Sequence, residues 1–337
     1  MLSRIFPSAV DISNHELKNV APDLLSGMKI YEEGSGYLVG DLAFAEGLSP
    51  HKIINSSPKD PGFRILIKAA LLLGARGKKG PLTVTTGLPF STYQLYRKEA
   101  ADLITGDHRL DYETSTYGGQ GKAIAEIFVK QTEVIPEVIA CVIGERHGEN
   151  LRGGNFFIAS LGYGTLEAIL STDGGVIQRT AISTPGLRYA NALLMNELGK
   201  NHYLGMRSEH QIDAAIKEGF IVSNRKKINT REIHKNVLRT YYNQVIRPEL
   251  QNTWTDMDFA KSSSLVLSGG GALYSELVNC FIKEFEGVLS VSVSSDPLTH
   301  ASKGCYFHSL HLTNGNHAAS IGLDIGNSHT AVTFHAD

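Results

Sequence analysis

Asp324 and Gly326 stand two residues apart in Ser320–Asp337, SIGLDIGNSHTAVTFHAD, between an apolar run and a second β-branched run. That pattern reads as a strand, a tight turn and a second strand. The turn would offer the backbone N–H groups of Gly326, Asn327 and Ser328 to an anion, with His329 and Thr330 just beyond. Asp324, at the strand end, would partner Mg²⁺ directly or through water. Taken alone, the segment fits an ordinary hairpin with an Asn-Ser turn equally well. Two more glycine turns shift the balance. Ser160-Leu161-Gly162-Tyr163-Gly164-Thr165-Leu166-Glu167 is again strand, turn, strand. Leu267 to Leu273 runs a strand into a helix through Gly269, Gly270 and Gly271, followed by Ala272. Glycine lets a backbone approach a ligand with no Cβ in the way, and a helix N-terminus favours anions. Two hairpins for phosphates and a third turn under a nucleoside make up an ATP site.

The elements that position these turns alternate. Tyr37–Val39 and Leu82–Thr86 read as strands, the latter stopped by Gly87-Leu88-Pro89. Phe63–Leu73 reads as a buried helix, Tyr93–Ile104 as an amphipathic one and Lys122–Val129 as helical. Leu110–Tyr117 alternates like a half-exposed strand, and Val134–Ile143 is a strand or a strand-helix junction. Glu145–Gly154 is polar and glycine-rich, the clearest linker. Strands then recur over Phe156–Ser160, Leu166–Ser171 and Val176–Ala181. Helices follow over Leu187–Leu198, Glu209–Glu218 and Thr230–Gln251. Such alternation predicts an α/β protein with mixed sheets, and two similar hairpins suggest duplication of one domain.

The chain of 337 residues suits two domains, and its composition is that of a globular protein. A net charge of −2 argues against nucleic-acid binding by bulk attraction. Cys141, Cys280 and Cys305 lie far apart in apolar contexts and are expected to be reduced core residues of a cytoplasmic protein. No long apolar segment suggests a membrane span, and the histidines are scattered, with no H-E-x-x-H motif among them.

Phe6-Pro7-Ser8, Tyr37 to Ala43 (YLVGDLA), Thr86-Gly87-Leu88-Pro89, Val134 to Glu137 (VIPE) and Leu267 to Ala272 occur in collinear order. With the three turns, these blocks resemble the actin-like ATPases, in particular the plasmid-segregation actins of the ParM type, over nearly the whole chain. One block is displaced. The phosphate hairpin that should precede Phe6 lies at 320–337, so the sequence looks circularly permuted, with its old ends joined through about His308–Ser320. The resemblance implies a two-lobed actin-like fold, duplicated and ribonuclease H-like. Domain I would comprise 1–143 plus 305–337, and domain II 144–304. It implies ATP or GTP with Mg²⁺ bound between the lobes, Asp324 organising the metal, and Glu137 as the carboxylate that polarises the attacking water. It further implies self-association into filaments, a DNA-binding adaptor linking them to a plasmid, and no direct contact with nucleic acid or membrane.

Two positions depart from the family pattern. Ser160 stands where the second loop usually begins with aspartate, and Ala331 where a lysine often follows the first loop's threonine. Hydrolysis is the property most exposed to these changes, because fixed charges at the transition state usually contribute most to catalysis. A small-molecule kinase of the same superfold and a non-hydrolysing nucleotide-binding scaffold are the alternatives.

Overall fold

The computed structural model describes residues 1–52, 57–148, 151–202, 204, 212, 216 and 218–336. The chain forms two units, Met1–Gly153 with Leu298–Asp337, and Gly154–Pro297. The helix expected over Glu209–Glu218 lies largely outside the described residues.

The first unit carries strands β1 (Leu2–Pro7), β2 (Ala9–Ile12), β3 (Lys29–Glu32), β4 (Ser35–Val39), β5 (His51–Lys52), β6 (Leu82–Leu88), β7 (Gly106–Glu113), β8 (Lys122–Pro136), β16 (Ser320–Ile325) and β17 (His329–Phe334). Hydrogen bonding orders them β1-β17-β16-β6-β8-β7-β3-β4-β2-β5. Strand β8 is fifteen residues long and serves two partners. Its first half pairs antiparallel with β7, and its second half runs parallel to β6. Lys122–Val129 is therefore strand, not the expected helix. Its alternation is disguised because Ile124 and Phe128 occupy outward positions, 52% and 45% exposed. Helix α2 (Pro61–Ala75) starts from an Asp60 cap that accepts the Gly62 N–H and packs a nearly unbroken apolar surface into this unit's core. Gly74 permits its approach, since a Cβ there would sit 2.7 Å from Val332 Cγ2.

Helix α4 (Glu137–His147) leaves the end of β8 directly and packs against the last helix, His300–Leu312. Gly304 makes this crossing possible, because a Cβ there would be driven into the Ala140 carbonyl. The expected domain boundaries at 143/144 and 304/305 fall inside these two helices. Arg152 folds back on α4, its N–H bonding the Glu145 carbonyl and its Nε bonding Glu145 Oε2 at 3.0 Å. Segments 144–153 and 298–304 thus belong to the first unit. Gly304→Ala is expected to cost about 3 kcal/mol or more, at or above the usual overpacking penalty of about 1–3 kcal/mol, since the obstacle is backbone. Thermal melting checks this; an unchanged Tm would mean that the helices separate freely.

The second unit holds β9 (Phe156–Leu161), β10 (Thr165–Thr172), β11 (Gly175–Pro185), β14 (Ser264–Ser268) and β15 (Ser290–Val293), ordered β11-β10-β9-β14-β15. β9, β14 and β15 are parallel, and the other pairings are antiparallel. Phe157, Ala159 and Leu161 point into a core closed by helix α5 (Leu187–Gly199) and by helices Arg231–Tyr241 and Ser275–Glu284. Trp254 lies in that core with its ring 4.3 Å from Phe157 and its Nε1–H bonded to the Thr180 carbonyl. Cys141 and Cys305 are buried and Cys280 is half-buried, all three as free thiols.

Candidate functional site

The parallel order of β16, β6 and β8 brings three chain segments out at one edge of the first unit's sheet, the C-terminal ends of the strands. Ligands of open α/β sheets gather at such edges, because the connecting turns leave their N–H groups there. Leu323 registers with Thr86, which sets Asp324 beside Gly87. Gly87 in turn lies against Glu137, its missing Cβ 3.4 Å from the Glu137 Cα. Glu137 is the first residue of α4, following Pro136, where the helix field favours a carboxylate. Two acidic side chains thus share a small space. Enclosure by protein, reinforced by the negative charge of Glu137, pushes the Asp324 carboxyl well above the usual carboxylate range. Both carboxylates are partly buried, and the repulsion between them is relieved when a proton or a cation joins them, so these residues fit a bound divalent ion.

The turn between β16 and β17 departs from expectation in detail. The Gly326 N–H bonds the His329 carbonyl at 3.1 Å, so it closes the turn, and Asn327 and Ser328 form the apex. Thr330 is fully buried, its hydroxyl 2.8 Å from Ser8 Oγ. The Ser8 N–H bonds the Ser328 carbonyl at 3.0 Å. Thr330 and Ser8 therefore fasten the turn to β1, and Thr330 presents no side chain to a ligand. His329 is half-buried opposite Pro7. Ala331 is 1% exposed and lies in register between Asp324 and Ile5.

The second unit repeats the arrangement. Parallel β9 and β14 end side by side, Ser160 registering with Ser268, and each continues into a glycine turn. In the first of these, the carbonyls of Gly162, Tyr163 and Gly164 accept the N–H groups of Leu187, Arg188 and Gly186, locking the turn onto the start of α5. Tyr163 points into the core, where its hydroxyl accepts Asn191 Nδ2–H at 3.2 Å, so its side chain is structural. Gly164 and Thr165 are partly exposed at the turn. In the second turn Gly269 adopts φ +78°, and a Cβ there would lie 2.8 Å from the Leu161 carbonyl. A Cβ at Gly271 would meet Leu161 Cβ at 2.7 Å. The two turns are therefore in contact, Gly270 is partly exposed, and Ala272 is packed into the core.

Glu167 is a further candidate beside these turns, outside the glycine motifs themselves. It lies directly across from Ser160 in the β9–β10 ladder and is 1% exposed. Ser183 Oγ is 3.5 Å from its Oε1. Ser183, Glu167, Ser160 and Ser268 thus form one polar rung across four strands, next to the turns. The signal was a charged residue at an inward position of an otherwise apolar strand, TLEAILST.

Among the described residues no group of three or more His, Cys, Asp or Glu is placed to hold a metal by itself, and no helix is long and apolar enough to cross a membrane. Residues 1–139 match the family profile described as the N-terminal domain of actin-like proteins. No curated protein matches the sequence. Among solved structures, an archaeal actin homolog, Ta0583, in complex with ADP, is similar at 16% identity with a TM-score of 0.69, covering 91% of this chain and 92% of that one. A non-polymerisable quadruple mutant of pCBH ParM is similar at 17% identity and TM-score 0.70, covering 90% and 92%. The 15-stranded ParM filament from Clostridium botulinum is similar at 15% identity and TM-score 0.70, covering 90% and 91%. The duplicated sheet edges with their paired glycine turns and these likenesses agree: the chain has the two-lobed α/β actin-like fold with mixed sheets.

Proposed function

We propose that the chain binds a nucleoside triphosphate, ATP or GTP, with Mg²⁺ and polymerises in response to it. The observation that carries this reading is the Asp324–Glu137 pair at the edge where the β16–β17 turn emerges, an acidic pair that calls for a cation. Asp324 would hold Mg²⁺ through water, Asn327 and Ser328 would donate N–H groups to phosphate, and Gly326 would shape the turn. In the second unit Gly162, Gly164 and Thr165 would face phosphate, and Gly269 to Gly271 would lie against the nucleoside. When bound, Mg²⁺ would neutralise charge developing on the phosphates. Glu137 would accept a proton from the attacking water. Glu167 would supply the carboxylate that Ser160 lacks. Support for a nucleotide comes from the ADP complex of the archaeal actin homolog, and support for polymers from the ParM filament. Titration of a fluorescent nucleotide with and without Mg²⁺ tests it; absence of Mg²⁺-dependent binding to either nucleotide would reject it.

Attachment to plasmid DNA through a separate adaptor is the cellular role that best suits such a filament. Circular permutation is supported by topology. The β16–β17 hairpin is seated between β1 and β6 in the first unit, and Phe334 registers with Leu2, so β16, β17 and β1 form a meander in an order that the chain does not follow. Moving residues 316–337 ahead of Met1, with a short turn, should give a protein with the parent's Tm and assembly. An unfolded product would reject the permutation. A non-hydrolysing scaffold is the second reading, favoured by Ser160 and by the buried Ala331.

A further inference from the structure

Strands β12 (Phe220–Ser223) and β13 (Lys226–Asn229) form a two-stranded sheet of their own in the second unit. Their turn residues, Asn224 and Arg225, have φ of 46° and 63°. This is the mirror-image turn that suits hairpin twist, and its second position favours glycine. Asparagine tolerates the conformation, whereas a left-handed arginine costs roughly 1–2 kcal/mol. That cost is borne where it holds a guanidinium at the hairpin tip. Arg225, Lys226 and Lys227 follow in succession, and all are exposed. Beside them is a cavity of about 470 Å³ whose walls include Asn201, His202, Ser223, Asn224, Lys226 and Lys227. Every one of these side chains can donate a hydrogen bond, and no carboxylate is among the described residues of the wall. Several exposed cations elsewhere on this unit are paired, as in Arg239–Glu276, Arg247–Glu284 and Lys235–Glu232. Among the described residues the three hairpin cations have no such partner; Lys227 Nζ lies 4.1 Å from the centre of the Phe220 ring.

We propose that this hairpin is an anion site, separate from the glycine turns, that takes the phosphodiester backbone of a nucleic acid. At about 3.3 Å per residue, the three consecutive cations spread over roughly 7 Å of chain. A lone phosphate cannot engage them all, whereas a backbone carrying one charge per roughly 3.4 Å of each strand can. A two-stranded ribbon also fits a major groove about 12 Å wide. The whole-chain charge of −2 does not oppose this, because screening over about 8 Å at physiological salt lets a local cation cluster, with no carboxylate among the described residues of the adjoining wall, act by itself. The proposal is independent of the nucleotide reading.

The test is fluorescence anisotropy of a labelled DNA duplex with the full chain and no added nucleotide, between about 50 and 200 mM salt. Binding should weaken with a log–log slope of about −2 to −3, near −0.9 per phosphate contacted. The triple variant R225Q/K226Q/K227Q should lose about tenfold or more in affinity and flatten the slope, while keeping the parent's melting temperature. Should the triple variant fold poorly, K226Q and K227Q singly should each weaken binding about two- to threefold. N224G, which keeps every charge, should bind like the parent. Absence of duplex binding, or variants that bind like the parent, would overturn the proposal. So would displacement of the duplex by inorganic triphosphate or poly-glutamate at equal total charge, which would mark a free-phosphate or acidic-peptide site.

Discussion

Asp324→Asn should raise the melting temperature of the nucleotide-free protein at neutral pH and abolish nucleotide-dependent assembly. Two opposite effects of one substitution follow from one cause. Protein enclosure and the neighbouring Glu137 raise the Asp324 carboxyl well above its unfolded value of about 3.9. The unfolded chain therefore ionises this group more readily than the folded one. The penalty is absent below the unfolded value, grows as pH rises through it, and is complete above the raised folded value. Asparagine keeps the shape and removes the charge, so the gain appears at pH 7–8 and vanishes in acid. Each kcal/mol relieved should be worth about 2–4 °C. Mg²⁺ with nucleotide should stabilise the parent far more than the variant, because only the parent offers the cation a carboxylate. Melting curves at several pH values, with and without Mg²⁺-nucleotide, check this. A variant less stable than the parent at neutral pH would show that Asp324 is held by partners that favour its charge.

Glu137→Gln should slow nucleotide hydrolysis by about 10²–10³-fold, within the range expected for a lost general base, while nucleotide affinity changes little. Glu137 begins α4 immediately after β8, and its backbone is fixed by Gly87 and by the helix start. Glutamine preserves those contacts and cannot take a proton. Polymers of the variant should outlast those of the parent. Parent turnover itself should be slow, because no cationic side chain stands at position 331. Ser160→Asp would add a carboxylate directly across from Glu167, where like charges repel unless a cation lies between them. Any acceleration by that substitution should therefore depend strongly on Mg²⁺. Phosphate release at saturating nucleotide decides these points, and undiminished turnover by Glu137→Gln would assign proton transfer to another group.

The helix around Phe63–Leu73, the strand before Gly87 and the strand-turn-helix block at Leu267–Ala272 were legible because hydrophobic periodicity and glycine punctuation coincide there. Lys122–Val129 was not, because outward-facing Ile124 and Phe128 erase the alternation that marks a strand. The chain divides at Gly153/Gly154, within the glycine-rich stretch that reads as a linker, and Arg152, returning to Glu145, keeps the start of that stretch in the first unit. Turn positions were legible while the direction of their side chains was not. Tyr163 and Thr330 sit in or beside glycine turns yet face inward, a consequence of Asn191 and Ser8, which are distant in sequence. Glu167 illustrates the converse, a side chain beside the turn that only strand register reveals.

The central claim is that nucleotide binding drives polymerisation of this chain. Sedimentation of the purified protein with no nucleotide, ATP, GTP or a non-hydrolysable analogue, each with Mg²⁺, tests it most directly. Polymer should pellet with at least one triphosphate and with its analogue, remain soluble without nucleotide, and fail to form with Asp324→Ala. A protein that stays soluble under every condition, or that pellets equally without nucleotide and with Asp324→Ala, would contradict the account.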